Sequence, residues 1–437
     1  MFSYKKMRLT SPALKGGVLR RGTIKEIKTM MEKEQPYKLP DDWQWIEWKN
    51  LGKFISGTGF KKEYQKFTEY EIPFYKVNSL NFSDEQGYIY EKSNTINENI
   101  RKLLKAKIIP TDSIIFAKIG EAIRLNRKVL NKVPCCIDNN MMAFVPNKVS
   151  FKYVYYWSHN VDFYKYAKGS IVPSIRKSEL EKILLPVPSL DEQKRIVEII
   201  ESLFAKLDRS RIIAQKIVDD YQLRRGKLLH ETFKGELIKC NSQKMTINSV
   251  CKSLIYGTSK KSDKSGKVIV IRMGNLQGGE IDWSNLAYSN DEEEIEKYHL
   301  SAGDVLFNRT NSAELVGKTS IYRGEYPAIY AGYLIKLDYD PNIIIGDYLN
   351  YILNSPEAKD YCQRVKTNGV NQSNINAKRI GAFEIPVPDL EEQREIVRHL
   401  DSLLTKEKQT KELAEQTLQK IDLMKKTILA RAFRGKL

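Results

Sequence analysis

The segment Leu185–Val197 reads LPVPSLDEQKRIV, and the segment Ile385–Val397 reads IPVPDLEEQREIV. The second segment repeats the Pro-x-Pro-x-Leu-acid-Glu-Gln pattern of the first, 200 positions further along a chain of 437 residues. Each copy continues into a long charged segment, and the two segments end alike, as TFKGEL and as AFRGKL. Because internal repetition decides the layout of a chain, we interpret the protein as two related halves in tandem.

Each repeated segment has the sequence marks of a long helix. Ser189 and Asp389 are suited to cap a helix N-terminus, and Glu192 and Glu392 follow three residues later, as in a capping box. Apolar residues then recur with the heptad spacing that is typical of a coiled coil, and charged residues occupy the other faces. We therefore predict one long helix in each half.

The duplication also predicts how the two helices pack. If the halves are related by an approximate two-fold axis, the helices lie antiparallel and act as a spacer between two variable domains. The predicted fold class is α+β: two mixed α/β domains separated by two long antiparallel coiled-coil-like helices, in a pseudo-two-fold tandem repeat. The alternative is a solvated charged helix with no special role, but a lone helix would not keep two matching apolar seams.

The regions before the two Pro-x-Pro segments have diverged from each other. Both contain short β-rich runs broken by Gly, Asn and Asp turns, and helical stretches follow at 153–166 and 346–354. The runs are KAKIIP (105–110), SIIFAKI (113–119), KVIVIRM (267–273), DVLFNRT (304–310) and AIYAGYLIKL (328–337). The predicted domains are an N-terminal segment completing the first half (1–36), a variable domain (37–188), a spacer helix (189–240), a second variable domain (241–388) and a second spacer helix (389–437).

The composition indicates a soluble chain with a polyanionic partner. The formal net charge is +18 and the pI is about 9.3, an excess that points to nucleic acid, although a basic surface of no specific role is the simpler alternative. No apolar run approaches the roughly 20 residues of a membrane helix. The five cysteines form no Cys-x-x-Cys pair, and the four histidines lack metal-ligand spacing. We expect a cytoplasmic protein without a metal site.

Loops rich in amide, hydroxyl and basic side chains interrupt the strands of both variable domains. Arg and Lys can bind guanine, Asn and Gln can bind adenine, and the remaining Lys and Ser can hold phosphates. For a single residue a solvated surface group is the simpler interpretation, but recurrence in both halves favours DNA binding. The predicted DNA-binding residues are Lys61, Lys62, Asn78, Lys118, Arg124, Asn126, Arg127 and Arg176 in the first domain, and Lys260, Lys261, Arg272, Asn275, Arg309, Asn311, Ser312, Gln372 and Asn374 in the second.

Catalytic motifs are missing from the sequence. Asp41, Glu47 and Lys49 resemble a nuclease motif, but their spacing is too short and the segment is typical of a packed strand. The sequence contains neither the Gly-rich cofactor loop and (Asn/Asp)-Pro-Pro-aromatic motif of an adenine methyltransferase nor the Gly-x-x-x-x-Gly-Lys-Ser/Thr loop of an ATP site. We predict no catalytic residue, so the chain binds and does not catalyse.

The chain resembles the specificity subunit of type I restriction-modification systems. The resemblance rests on its two variable domains, each followed by a helix that begins with Pro-x-Pro-x-Leu-acid-Glu-Gln and ends in Phe-Lys/Arg-Gly-x-Leu. The resemblance covers nearly all of Tyr37–Leu437, and NRTNSAELVGK (308–318) is also similar to the family. It implies that each variable domain is a target recognition domain for one half of a bipartite DNA site. Because the two domains differ, the two half-sites should differ as well.

The resemblance also implies the partners of the chain. The paired helices would fix the gap between half-sites and dock two copies of a modification subunit, which carries S-adenosylmethionine and methylates adenine. A restriction subunit that needs ATP and Mg²⁺ would join for cleavage, and none of these cofactors would bind this chain. The residues predicted to serve docking or the spacer are Glu192, Gln193, Phe233, Glu392, Gln393 and Phe433.

Two alternatives stay open at the level of sequence. The first is a stand-alone methyltransferase or nuclease whose motif is unfamiliar. The second is a stand-alone DNA-binding regulator or architectural protein that has no modification partner. Methyl transfer or cleavage by the chain alone would favour the first, and the absence of a modification subunit would favour the second.

Overall fold

The structure is a computed structural model that describes residues 35–169, 171–235, 241–370 and 372–437. Nearly all of the predicted N-terminal segment 1–36 lies outside the described residues, so its role stays a prediction. The chain forms two compact units. Unit 1 comprises the described residues up to Arg209 together with Ile421–Leu437, and unit 2 comprises Ser210–Lys420. Each unit therefore combines one variable domain with a part of each long helical segment.

Unit 1 is built from short strands and helices around an aromatic core. The strands are β1 (Gln44–Glu47), β2 (Gly52–Ser56), β3 (Ile72–Tyr75), β4 (Tyr88–Ile89), β5 (Thr95–Ile96), β6 (Ile114–Ala117), β7 (Lys128–Asn131), β8 (Cys136–Ile137), β9 (Met141–Pro146) and β10 (Leu184–Val187). The α-helices of the domain are α1 (Glu98–Leu103), α2 (Phe151–His159) and α3 (Lys177–Leu180). One sheet has the order β2-β9-β6-β7-β4, a second has the order β5-β3-β8, and β1 pairs with β10.

The core of unit 1 centres on Trp48. The Trp48 ring is fully buried, and its centroid lies 4.9 Å from that of Phe54 and 5.0 Å from those of Phe144 and Trp157. Every residue of β6 is buried, which explains why this strand reads as an unbroken apolar run. Offset and edge-on ring contacts of this kind stabilise a core beyond the burial of their area.

The first long segment consists of two helices, α4 (Leu190–Asp219) and α5 (Tyr221–Phe233). The interruption at Asp220 is one residue long, because the Asp220 amide donates to Lys216 O and its carbonyl accepts from Arg224 N. At the start of α4, Ser189 Oγ accepts from Glu192 N at 3.3 Å, so the predicted N-cap is confirmed. Gly235 has a φ of 74°, the left-handed conformation that commonly ends a helix.

Unit 2 repeats the plan of unit 1. Its strands are β11 (Gln243–Thr246), β12 (Cys251–Tyr256), β13 (Val268–Ile271), β14 (Leu276–Gln277), β15 (Glu280–Ile281), β16 (Tyr288–Ser289), β17 (Val305–Asn308), β18 (Thr310–Asn311), β19 (Thr319–Ile321), β20 (Ala328–Tyr330), β21 (Leu334–Tyr339), β22 (Thr367–Asn368), β23 (Ser373–Asn374) and β24 (Glu384–Val387). Its domain helices are α6 (Ile247–Val250), α7 (Glu292–Lys297), α8 (Gly346–Leu353), α9 (Pro356–Val365) and α10 (Ala377–Gly381).

The sheets of unit 2 correspond to those of unit 1. The order β12-β21-β17-β19 matches β2-β9-β6-β7, and the order β16-β13-β20 matches β5-β3-β8. The pairs β3/β8 and β13/β20 are both parallel. In unit 2 an additional small sheet with the order β18-β23-β22 follows β17. The predicted tandem repeat of a mixed α/β domain is therefore confirmed, although the sequences of these regions have diverged.

The second long segment is a single helix, α11 (Leu390–Ala432). Asp389 Oδ1 accepts from Glu391 N at 3.0 Å and from Glu392 N at 2.8 Å, which confirms the second predicted N-cap. Gly435 follows the helix with a φ of 66°. The helix therefore begins where the sequence indicates, and the left-handed Gly435 follows its end.

The long helices pack antiparallel within each unit. In unit 1, Ile200 and Leu429 belong to the same buried cluster, and Lys425 forms an ion pair with Asp208 at 2.5 Å. In unit 2, Leu229 and Leu400 belong to one cluster, and Arg224 forms an ion pair with Glu407 at 2.7 Å. In both units, contacting residues have rising numbers along α4 or α5 and falling numbers along α11, so the two helices run in opposite directions. The predicted antiparallel pairing is confirmed in each unit.

Two local predictions are wrong. The run KAKIIP (105–110) forms no strand, and within it only Ile109 makes a β-bridge, to Cys135. The helix predicted over 153–166 ends at His159. Beyond it the chain turns at Asp162, whose side chain accepts from Tyr164 N, and Phe163 N donates to Asn126 Oδ1. These side-chain hydrogen bonds compete with helical ones and favour a turn.

The buried Lys128 gives the stability of the protein a predictable pH dependence. Its Nζ donates to Val161 O at 2.9 Å and lies 4.1 Å from the centroid of the Phe163 ring. Burial lowers the pKa of Lys128 to about 7, and Asp162 opposes this shift. Because the unfolded-state pKa is about 10.4, the unfolded chain binds the extra proton between about pH 7 and pH 10. The Lys128 contribution to stability therefore rises with pH across this window.

Replacing Lys128 by methionine should remove this rise. Between pH 7 and pH 9.5, the free energy of unfolding should increase by about 3 kcal/mol less in Lys128→Met than in the wild type. Denaturant unfolding at several pH values measures the difference. The exposed Lys132→Met is the matched control and should behave like the wild type. Parallel pH profiles for Lys128→Met and the wild type would contradict the prediction.

Candidate nucleic-acid interface

Two glycine-threonine pairs begin equivalent loops in the two units. Thr58 N donates to Ile137 O at 3.0 Å in unit 1, and Thr258 N donates to Tyr330 O at 2.9 Å in unit 2. A Cβ on Gly57 would lie 1.8 Å from Asp138 O, and one on Gly257 would lie 2.2 Å from Tyr330 O. Only glycine allows this close approach to the end of a parallel strand. The repeated Gly-Thr pair therefore has a structural cause in both units.

Lys118 and Arg309 occupy equivalent positions after the central strands β6 and β17. Lys118 N donates to Asn140 O at 2.8 Å, and Lys118 O accepts from Ile175 N at 2.8 Å. The backbone of Arg309 makes the same two bonds, donating to Tyr333 O at 3.0 Å and accepting from Ile375 N at 2.8 Å. Each basic residue is thus held on both sides by neighbouring loops. Lys118 and Arg309 are 191 positions apart in the sequence, whereas the Pro-x-Pro segments are 200 positions apart, so a constant offset does not align the two basic residues.

A second equivalent pair follows the parallel strands β3 and β13. Lys76 N donates to Ser79 Oγ at 3.1 Å, and Arg272 N donates to Asn275 Oδ1 at 2.9 Å. Arg272 was predicted from the sequence and Lys76 was not. Lys76 could have been predicted from its position directly after a buried strand, because Arg272 holds the same position in unit 2.

These loops form one recognition frame in each unit. The frame of unit 1 is Thr58, Lys76, Lys118 and Ser174, and the frame of unit 2 is Thr258, Arg272, Arg309 and Asn374. Both frames lie at the carboxyl end of the parallel strand pair and offer basic and hydrogen-bonding side chains.

The two frames differ in their electrostatics. In unit 1 the buried Asp138 lies beside Lys118. Burial raises the pKa of Asp138, while hydrogen bonds from the Asn140 and Val77 amides and the charges of Lys76 and Lys118 oppose the shift. Burial lowers the pKa of Lys118, and Asp138 opposes that shift. The carboxylate therefore balances part of the basic charge in this frame.

In unit 2 the residue that corresponds to Asp138 is Ala331, whose amide donates to Ile271 O as the amide of Asp138 donates to Tyr75 O. Within the ranges that the structure describes, Arg309 has no carboxylate at ion-pair distance. The small sheet β18-β23-β22 brings several predicted residues to this frame, since Thr310 pairs with Asn374 and Asn311 with Ser373. The predicted residues that the structure brings together here are Arg309, Asn311, Ser312, Gln372 and Asn374.

Other predicted residues are exposed or are bound within the chain. Lys61 lies 3.7 Å from Glu63, Asn78 accepts from Asn81, and Arg124 pairs with Glu121 and lies 4.2 Å from the centroid of the Tyr164 ring. The Lys260 ammonium pairs with Asp291 at 2.6 Å, and this hydrogen bond raises the pKa of Lys260. The side chains of Lys62, Arg127, Arg176 and Lys261 are exposed.

Two predicted asparagines use their side chains to hold the backbone of nearby segments. Asn126 donates to Val161 O and accepts from Phe163 N, both at 3.0 Å. Asn275 is buried and donates to Asp282 O at 2.8 Å and to Asn285 O at 3.1 Å. An amide that is used in this way cannot also bind a base edge without breaking the fold locally.

The repeated glutamines of the Pro-x-Pro segments make hydrogen bonds within their own units. Gln193 is buried, accepts from Ser150 N at 2.9 Å and donates to Pro188 O at 3.0 Å. Gln393 is buried, accepts from Ile345 N at 2.8 Å and donates to Pro388 O at 2.8 Å. Each glutamine therefore joins a helix N-terminus to the domain of its own unit. Neither side chain is available to a partner subunit.

The repeated phenylalanines have the same kind of intramolecular role. Phe433 is fully buried, and its ring centroid lies 5.1 Å from that of Tyr153 in unit 1. Phe233 is half-buried, and its ring centroid lies 5.4 Å from that of Tyr348 in unit 2. The hydroxyls of Tyr153 and Tyr348 donate to Pro186 O and Pro386 O. Each phenylalanine therefore packs against the domain of its own unit, which fits the spacer role that the sequence predicts for it.

The two glutamates stay half-exposed. Glu192 accepts from Arg195 at 2.7 Å, which lowers the pKa of Glu192. Glu392 Oε1 accepts from Asn241 N at 3.4 Å.

No helix in the described part of the chain combines the length and apolarity needed to cross a bilayer. Among the same residues, no group of three or more His, Cys, Asp and Glu side chains is arranged to hold a metal ion.

The fold and loops define a tandemly repeated recognition protein, in which one framework presents two different sets of basic and amide side chains. A family model described as type I restriction modification DNA specificity domain matches residues 40–217 and again residues 240–421. These matches cover most of the sequence, and the chain belongs to that family.

Curated relatives match along almost the whole chain. The Type I restriction enzyme StySPI specificity subunit of Salmonella potsdam is 24% identical over 425 residues, covering 92% of this chain and 90% of the relative. The Type I restriction enzyme EcoKI specificity subunit of Escherichia coli K12 is 23% identical over 425 residues, with the same coverage.

Solved structures share the fold. The HsdS subunit from Thermoanaerobacter tengcongensis has a TM-score of 0.63 at 19% identity, covering 93% of this chain and all of that one. A chain from a study of complex assembly and conformational transition of the type I R-M system has a TM-score of 0.71 at 20% identity, covering 92% of this chain and all of that one.

Proposed function

We propose that this chain is the DNA sequence-specificity subunit of a type I restriction-modification complex. Each variable domain reads one half of an asymmetric bipartite site on double-stranded DNA, and the paired helices set the gap between the halves. The observation that carries this proposal is the pair of recognition frames, which share a backbone framework but differ in side chains. Lys118 and Ser174 in unit 1 correspond to Arg309 and Asn374 in unit 2. Equivalent frames with unlike side chains suit two unlike half-sites.

The long helices carry a repeated pattern of exposed apolar side chains. Ile213 and Leu413 are equivalent in the repeat and are 63% and 61% exposed, and Leu223 and Leu423 are 73% and 65% exposed. A merely solvated helix has no reason to keep apolar residues at the same exposed positions in both copies. We infer that each copy docks one modification subunit, so that two copies of the same partner join the complex.

The chemistry then belongs to the partners. This chain supplies recognition and no catalytic group, while the modification subunit binds S-adenosylmethionine and methylates adenine. A restriction subunit uses ATP and Mg²⁺ for cleavage. The complex acts in the cytoplasm, where it meets the DNA.

Reconstitution of methyl transfer tests this function. Genomic DNA and S-adenosylmethionine are incubated with the chain alone, with the modification subunit alone, or with both. We expect sequence-specific methylation only with both proteins together. Methylation by this chain alone would show that the chain is itself a methyltransferase. Specific DNA binding by the chain, without any methylation in the mixture, would show a stand-alone regulator.

The docking surface makes a separate prediction. The double variant Ile213→Asp, Leu413→Asp should lower the affinity for the modification subunit at least about tenfold, because a carboxylate would be buried in an apolar contact. Titration of labelled modification subunit measures this affinity. Gln419→Asp on the same helix α11 is the matched control and should bind as the wild type does. If the double variant is folded and binds with unchanged affinity, the partner docks elsewhere.

A further inference from the structure

Arg309 is held by its backbone, by an aromatic ring and by side-chain hydrogen bonds in the unit 2 frame. Its backbone is fixed on both sides by the hydrogen bonds to Tyr333 and Ile375. Its guanidinium carbon lies 4.8 Å from the centroid of the Tyr256 ring, and the Tyr256 hydroxyl accepts from Ala377 N at 3.0 Å. Stacking on a ring that is itself held in place fixes the plane of the guanidinium group.

The hydrogen bonds of the Arg309 side chain are few and go to neutral acceptors. Nη2 donates to Asn374 Oδ1 at 3.2 Å, and Nη1 donates to Gly332 O at a long 3.4 Å. Nε–H is buried and has no hydrogen-bond partner among the described residues. A guanidinium group has five N–H donors, so the fold orients this one without using all of its donors. No carboxylate of the described residues neutralises its charge.

The surroundings of Arg309 suit the edge of a base better than a lone phosphate. Tyr256 and Tyr333 are 39% and 49% exposed, and the amide side chains of Asn311, Gln372 and Asn374 come from the adjacent small sheet and the loop before it. A phosphate contact needs charge but no fixed plane, whereas bidentate recognition of a base needs both.

Unit 1 lacks this arrangement at the equivalent positions. Lys118 is equivalent to Arg309, and Ser174 is equivalent to Asn374. Asn140 is equivalent to Tyr333. The residue before the glycine of the Gly-Thr pair is Ser56 in unit 1 and Tyr256 in unit 2. An ammonium group is a point charge on a flexible stem and cannot present two parallel donors in one plane. Whatever base unit 1 reads, it reads differently.

We propose that Arg309 is the guanine-reading residue of unit 2, with two guanidinium N–H groups donating to N7 and O6 of one guanine in the major groove. This proposal rests on the proposed function and adds the identity of one base to it. Bidentate contacts of this kind discriminate against the wrong base by about 1–3 kcal/mol, which corresponds to about 5–150-fold.

The test uses the complex of the full chain with its modification subunit. Duplexes that vary one base pair at a time across both half-sites compete for methyl transfer by the wild type, Arg309→Ala and Arg309→Gln. We expect both variants to lose about 10–100-fold of the preference for guanine at one position of one half-site. Every other position should keep its preference, and Lys118→Ala should act only on the other half-site. Arg364→Lys, an exposed arginine of α9, is the control.

Each remaining outcome overturns the proposal. A half-site without guanine, an effect on a base other than guanine, or an equal loss of rate on all duplexes would show that Arg309 does not read guanine. So would an effect of Lys118→Ala and Arg309→Ala on the same half-site. A wild-type complex that methylates without sequence preference would instead overturn the proposed function itself. Thermal unfolding of the two Arg309 variants tests whether they are folded like the wild type.

Discussion

Phe433→Ala should lower the free energy of unfolding of unit 1 by about 3–5 kcal/mol, the usual cost of removing a fully buried aromatic ring. Phe433 is fully buried in the same cluster as Trp48, Tyr153, Ile200 and Leu429. The substitution would leave a cavity where the end of α11 meets the domain, and the segment Ile421–Leu437 would lose its main anchor in unit 1. Such a loss is a large fraction of the total stability of a domain, which is about 5–15 kcal/mol.

Denaturant unfolding monitored by tryptophan fluorescence measures the effect, because Trp48 lies in the same cluster. Phe82→Ala removes a ring of the same size that is 40% exposed and is the matched control. We expect it to cost less than about 1 kcal/mol. A change of similar size in both variants would mean that the end of α11 does not contribute to the core of unit 1.

The affinity of the complex for DNA should fall about 10³-fold or more between 50 mM and 200 mM salt. The chain carries a net charge of +18, and two recognition domains on duplex DNA can neutralise about six to ten phosphates. The plot of log affinity against log salt concentration should then have a slope of about −5 to −9. Fluorescence anisotropy with a labelled duplex at several salt concentrations measures it.

The exposed pair Lys61 and Lys62 offers a sharper version of this measurement. If both lysines contact phosphates, the double variant Lys61→Gln, Lys62→Gln should make the slope shallower by about 2 and weaken binding to all sequences alike. Lys260→Gln is a suitable comparison, because Lys260 is paired with Asp291 and we expect it to change the slope less. A wild-type slope near zero would contradict phosphate binding by the basic surface.

The helices were predictable because their signals are local. The N-caps at Ser189 and Asp389, the terminal glycines and the heptad spacing each depend on residues a few positions apart. The repeat then made antiparallel pairing the natural arrangement. The strand predicted for KAKIIP is wrong because strand pairing, unlike a helix cap, is not determined locally. Its apolar residues pack in the core, but whether a short apolar run pairs with a neighbour depends on distant residues.

The recognition frames were predictable only in part. Arg309, Asn311 and Asn374 were found through their residue types, but the equivalence of Lys118 and Arg309 was not. Insertions and deletions between the repeats shift the equivalent positions, so a comparison at the constant offset of the Pro-x-Pro segments cannot align them. Lys76 was missed because a single lysine after a strand has no distinctive sequence pattern.

The repeated Glu-Gln and Phe positions show a different limit of sequence reasoning. Repetition shows that Gln193 and Gln393, or Phe233 and Phe433, serve the same purpose in both halves, but not whether that purpose is a partner or the fold. The structure shows that these side chains bind their own unit. The proposed docking surface therefore uses exposed apolar residues of the helices, which the heptad pattern alone did not identify.

Mapping the methylated adenines in a genome that expresses this chain with its modification subunit tests the central claim most directly. We predict one methylated sequence composed of two unlike blocks, separated by a fixed number of unspecified base pairs, with a guanine in the block that responds to Arg309→Ala. A palindromic site, an uninterrupted site, or blocks at varying distances would contradict an account in which two different recognition frames are held at one separation by paired helices.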